Sequence, residues 1–144
     1  MNQADFSQRK IMVVDDNSHY VRLIERILQV NSYHNILSLT DPEKVVDIYK
    51  SSRPDLLLMD IDMSCISGFD ILERLQDEKK GGYLPVILFT ERTGWDQKAK
   101  AFELGAQEVI SKPFSQSEIV TSVKSFFERY EQDSRDKSKL LADA

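Results

Sequence analysis

Leu56-Leu57-Leu58-Met59-Asp60 is an apolar run that ends on a carboxylate, and it follows the turn-forming pair Pro54-Asp55. Apolar residues in unbroken succession fit a strand buried on both faces. Such strands belong to parallel sheets covered by helices, so Asp55 to Met59 reads as a central strand. Three other segments have the same form. Lys10 to Val14 precedes Asp15-Asp16, Pro85 to Phe89 runs into Thr90, and Gln107 to Ile110 precedes Lys112-Pro113. In an open parallel sheet the C-terminal strand ends line one edge, where ligands and chemistry gather. Residues as far apart as Asp15 and Lys112 then converge on one pocket holding Asp15, Asp16, Asp60, Thr90 and Lys112.

Helical patterns alternate with the strands. Asn17 or Ser18 can cap a helix whose apolar positions are Val21, Ile24, Ile27 and Leu28. Asn35 to Leu39 is the second strand. Asp41-Pro42-Glu43 offers a cap followed by proline at the first helical position, and Val45, Val46 and Tyr49 continue that helix. Gly68 opens a helix carrying Phe69, Ile71, Leu72 and Leu75, closed by Gly81-Gly82; Trp95 to Leu104 is a helix stopped by Gly105. The final helix spans about Ser115 to Tyr130. Alternating βα units with short connections imply a doubly wound, five-stranded parallel sheet in a flavodoxin-like (βα)5 three-layer sandwich. Residues 1–9 form an N-terminal extension, 10–130 the domain, and 131–144 a charged tail or the start of a linker helix.

Composition narrows the function. The 144 residues suit a single domain. A net charge of −5 lacks the basic footprint of nucleic-acid binding, so no direct nucleic-acid partner is expected. No apolar stretch approaches the roughly 20 residues that span a bilayer. Met1-Asn2-Gln3-Ala4-Asp5 lacks the pattern of a signal peptide. A single cysteine, Cys65, cannot form an internal disulfide and fits a reducing compartment. The expected location is cytoplasmic, without membrane association.

The pocket has its own chemistry. Clustered carboxylates repel one another unless protonated or neutralised, so this group calls for a hard cation with oxygen ligands. Phosphoryl transfer is chiefly positioning and charge stabilisation, which a cation, a lysine and a hydroxyl supply together.

Residues 10 to about 128 resemble the receiver domain of two-component response regulators. The resemblance rests on Val13-Val14-Asp15-Asp16, Pro54 to Asp60, Gly68, Phe89-Thr90, Gly105-Ala106 and Lys112-Pro113-Phe114. It implies that Asp60 accepts a phosphoryl group from a histidine kinase or a phosphotransfer protein. It implies Mg²⁺ (or Mn²⁺) held by Asp15, Asp16, Asp60 and the backbone carbonyl of Asp62. Thr90 matches the hydroxyl that bonds the new phosphoryl oxygen, Lys112 the ammonium that pairs with it, and Lys112-Pro113 a cis bond. The implied role is a signalling switch rather than an enzyme. Its partners are a kinase or phosphotransfer protein and an output domain or partner protein, with homodimerisation left open.

Several residues depart from the family pattern. Ser64 stands where many members have proline, which suggests a more mobile loop; Glu91 places bulk and negative charge after Thr90; and Val109 replaces a switching aromatic. Asp62 and Arg92 are placed to pair across the pocket mouth, and Trp95 suits either an exposed anchor or packing over a helix start. His19 and His34 lack any ligand pattern. Two alternatives stay open: a pseudo-receiver that is never phosphorylated, and a haloacid-dehalogenase-type phosphatase suggested by Asp60-Ile61-Asp62.

Overall fold

The Leu56–Asp60 run is β3, the middle strand of a five-stranded parallel sheet ordered β2-β1-β3-β4-β5. Its flanking strands are β1 (Ile11–Val14) and β4 (Val86–Thr90), with β2 (Ile36–Leu39) and β5 (Glu108–Ser111) at the edges. The computed structural model describes residues 5–79, 85–92 and 94–142. Gly81-Gly82, read as the close of the third helix, lies outside the described residues. β1, β3 and β4 are buried along their whole length, as apolar runs without alternation require.

The helices are α1 (Ser18–Val30), α2 (Val45–Ser52), α3 (Gly68–Lys79), α4 (Trp95–Glu103) and α5 (Gln116–Ala142). Successive strand residues point to opposite faces. Met12, Val14, Leu57, Met59, Val86 and Leu88 therefore pack with α2, α3 and α4 through Tyr49, Ile71, Leu72, Leu75 and Ala101. Ile11, Val13, Leu56, Leu58, Ile87 and Phe89 pack with α1 and α5 through Ile24, Leu28, Ile119, Val123, Phe126 and Phe127. Among the described residues no helix is long and apolar enough to cross a membrane.

The element boundaries follow local chemistry. Asn17 caps α1, its side chain accepting from the His19 N–H at 3.0 Å. Asp41 accepts from the Glu43 N–H, but the following residues Pro42–Lys44 form a tight 3-10 turn, so the regular helix begins only at Val45. β5 lies one residue later than Gln107 to Ile110. Gly105, with φ of 101°, turns the chain out of α4. The largest difference is α5, which continues past Tyr130 to Ala142 through the polar stretch that interrupts the apolar pattern. Residues 5–9 of the N-terminal extension are docked at the opposite end of the sheet from the strand C-termini, with Phe6 stacked on Phe127 at 5.4 Å and the Ser7 carbonyl accepting from the His34 N–H.

Gly68 marks the tightest approach behind the strand edge. Its N–H donates to the Ile61 carbonyl at 2.9 Å, and a Cβ here would lie 2.6 Å from the Asp60 carbonyl oxygen and 2.9 Å from Ile61 Cα. Both neighbours are backbone and cannot swing aside. Gly68→Ala is expected to cost about 1–3 kcal/mol of stability by overpacking. Urea denaturation measures this, and an unchanged midpoint would contradict the close approach.

Candidate functional site

Each group anticipated at the strand edge is held there by the element before it. Asp15 follows β1, Asp60 and Thr90 end β3 and β4, and Lys112 follows β5. Lys112 donates its backbone N–H to the Thr90 carbonyl at 2.8 Å, while its side chain reaches beyond β4. There Nζ lies 2.6 Å from Asp15 Oδ2 and 3.2 Å from Asp60 Oδ1. The Lys112-Pro113 bond is cis, as the family resemblance implied.

Asp15 is anchored twice, because its Oδ1 also accepts from the Asn17 N–H at 2.9 Å. Asp60 is less well served. Its Oδ1 is buried, and the Lys112 contact is an ion pair without hydrogen-bond alignment. Asp16 is more open to solvent, and its Oδ2 accepts from both the N–H and the hydroxyl of Ser64, at 2.8 and 2.9 Å. One oxygen from each of Asp15, Asp16 and Asp60 lies within 4.8 Å of the others.

Burial pushes the Asp60 carboxyl up to about 6; Lys112 pulls it down, and the Asp15 and Asp62 charges push it up again. Burial pulls the Lys112 ammonium down, but its hydrogen bond to Asp15 and the negative charges of Asp60 and Asp15 outweigh that and hold it above the ordinary lysine value. The electrostatic demand at Asp60 is therefore unmet by lysine alone. A donor set of three carboxylates, one with a buried oxygen that accepts no hydrogen bond, fits a hard divalent cation.

The remaining predicted residues lie around this core. Thr90 is buried; its hydroxyl donates to Asp62 Oδ2 at 2.9 Å and accepts from the Arg92 N–H at 3.0 Å. Arg92 Nε is 3.8 Å from Asp62 Oδ1, the pairing anticipated from sequence, at a solvated position where such pairs contribute under about 1 kcal/mol. Asp62, Met63, Ser64 and Arg92 are among the walls of an open groove beside the cluster, which continues to α4. Glu91 is exposed and is not one of its walls. Trp95 is 86% exposed, so it does not pack over the helix start. Val109 is half-buried against the α2–α4 side of the core. His19, His34 and Cys65 are exposed.

Two contributors escaped the sequence reading. Tyr20, in the first turn of α1, places its ring 3.7 Å from Lys112 Nζ, a cation–π contact beneath the ion pairs. An aromatic residue one turn beyond an acidic pair was the available signal. Ser64, read as a source of loop mobility, instead ties its loop to Asp16.

This arrangement agrees with what the comparisons found, where the response regulator receiver domain family matches residues 11–124. The chain belongs to that family. It is 29% identical over 119 residues to the transcriptional regulatory protein YvrH of Bacillus subtilis, covering 83% of this chain and 49% of that protein. It is 28% identical over 118 residues to the polar-differentiation response regulator DivK of Brucella anthropi, covering 82% and 95%. The chain spans about half the length of the first curated relatives it matches. Among solved structures, chemotaxis protein CheY4 of Vibrio cholerae shares the fold with a TM-score of 0.76 at 19% identity, covering 83% of this chain and 98% of that one. The receiver is a signalling domain with a flavodoxin-like fold, and the phosphatase and pseudo-receiver alternatives gain no support.

The Asp60 environment has a pH signature. Its folded value of about 6 lies above the ordinary 3.8, so the folded state holds this proton more tightly than the unfolded state. Stability from this group falls as pH rises from about 4 to 6 and then levels. In metal-free buffer Asp60→Asn is expected to be more stable than wild type at pH 7.5 by on the order of 1 kcal/mol. The gain should shrink toward pH 4.5. Denaturant unfolding of both proteins at the two pH values checks this, and a pH-independent difference would refute it.

Proposed function

We propose that this receiver takes a phosphoryl group on Asp60 from a histidine kinase or a phosphotransfer protein, in a reaction that depends on Mg²⁺ or Mn²⁺. The observation that carries the reading is the convergence of Asp15, Asp16 and Asp60 within 4.8 Å of one another beside the Lys112 ammonium. Asp15, Asp16, Asp60 and the Asp62 backbone carbonyl are the groups that would hold the cation. When bound, the cation supplies charge neutralisation for the carboxylates and for phosphoryl oxygens.

The protein's own groups then have separate tasks. Asp60 presents its carboxylate as the nucleophile, and the Lys112 ammonium beside it opposes the burial that favours its protonated form. Lys112 supplies a fixed positive charge at the oxygen that gains negative charge on transfer, held by Asp15 and backed by the Tyr20 ring. Thr90 exchanges Asp62 for a phosphoryl oxygen as acceptor of its hydroxyl proton. That exchange frees Asp62 and the Arg92 segment, so the response is proposed to leave through the loop after β4 and α4, including Trp95. Val109 has no ring to reorient, which supports this route over one through β5.

Residues 131–144 are proposed as the start of a linker helix, supported by the continuous α5 backbone through Ala142. An output domain or partner protein would receive the signal, and the domain proper is taken as 10–130. A cytoplasmic location belongs to the same reading.

Incubation with a small phosphodonor and Mg²⁺ is expected to add one phosphoryl group to the wild-type chain, read by intact mass. Asp60→Asn should take up none, and chelation of the cation should stop labelling. Equal labelling of Asp60→Asn would overturn the assignment.

A further inference from the structure

The three clustered carboxylates are not held alike. Asp15 is fixed by Lys112 and the Asn17 N–H, and Asp60 is enclosed at the end of β3, with 4% of its surface exposed. Asp16 is the open member, on a loop, where a carboxylate otherwise rotates freely. Two donors restrain it, and both come from Ser64, 48 residues away in the loop after β3.

We propose that Ser64 is a positioning residue for cation binding, its N–H and hydroxyl together holding Asp16 in the orientation the cation requires. The inference rests on the reading of Asp15, Asp16 and Asp60 as cation ligands. Both donors fall on Asp16 Oδ2, so Oδ1 keeps its lone pairs for a metal. Mg²⁺ demands near-ideal octahedral geometry and tolerates misplaced ligands poorly, so fixing the most exposed carboxylate matters more for it than for a larger ion. Hydrogen bonds to a ligating carboxylate also set its orientation. The same contact ties the loop after the acceptor strand to the acidic pair after β1, so the cation's ligands come from two segments already joined before it arrives. A proline at this position would supply neither donor.

Calorimetric titration of the full chain with Mg²⁺ alone tests this without any phosphoryl transfer. Ser64→Ala and Ser64→Gly both lack the hydroxyl and are expected to weaken Mg²⁺ binding about tenfold. Ser64→Thr keeps both donors and should bind close to wild type, with thermal melts establishing that each variant is folded. Asp16→Asn serves as the reference for the site itself. If Asp16→Asn weakens binding while Ser64→Ala and Ser64→Gly bind as tightly as wild type or tighter, the positioning role is overturned and the cation site stands. A Ser64→Thr variant as weak as Ser64→Ala would also overturn it. If Asp16→Asn leaves affinity unchanged, the cation reading fails and the inference falls with it.

Discussion

The Lys112 ammonium, shared between Asp15 and Asp60, is the interaction on which the rest of the site depends. Burying charge is costly unless it is paired, and here two buried carboxylates face one buried ammonium at the ends of three different strands. The pairing works only if β1, β3 and β5 end at the same level, which the parallel register enforces. It also needs β5 at the sheet edge, so that the lysine stem can lie over the end of β4. Tyr20 and Phe114 close the space around it, with Phe114 packed on Phe89 at 5.4 Å. The balance is incomplete: burial first, and then the neighbouring Asp15 and Asp62 charges, raise Asp60 by more than the Lys112 ammonium lowers it. A group poised in this way favours any ligand that brings positive charge.

Two loops are wired to this charge centre. Ser64 joins the loop after β3 to Asp16, and Asp62 of that same loop engages the Thr90 hydroxyl and the Arg92 guanidinium after β4. The groups that would meet a phosphoryl group are thus occupied by protein partners, and each must exchange one bond for another. Such exchanges shift an equilibrium only by the difference between the bonds made and the bonds lost. Polar tethers of about 1 kcal/mol each suit that purpose, because they order the loops without locking them. Gly68 contributes from behind by letting α3 start against the Asp60 backbone.

Much of this was legible in the sequence because it follows from strand periodicity. Apolar runs ending in Asp15, Asp60 and Thr90, with Lys112 following the last strand, identify together the parallel sheet and the edge where these groups converge. What the sequence hid depends on contacts between loops. The Asp16–Ser64 bonds join residues 48 positions apart, and nothing in a local pattern distinguishes a serine that donates to a carboxylate from one that faces water. The Thr90–Asp62 bond and the position of Tyr20 under Lys112 are hidden for the same reason. At the C-terminus the limit is different. Hydrophobic periodicity detects helices that bury a face, and residues beyond Tyr130 continue α5 without that signal.

The most direct test of the central claim is a crystal structure of the protein with Mg²⁺ and beryllium fluoride, which mimics a phosphoryl group on a carboxylate. The account predicts beryllium bonded to an Asp60 oxygen, Lys112 Nζ at hydrogen-bond distance from a fluoride, and the Thr90 hydroxyl transferred from Asp62 to another fluoride. A mimic bound elsewhere, or Thr90 still donating to Asp62 with Asp60 occupied, would contradict it.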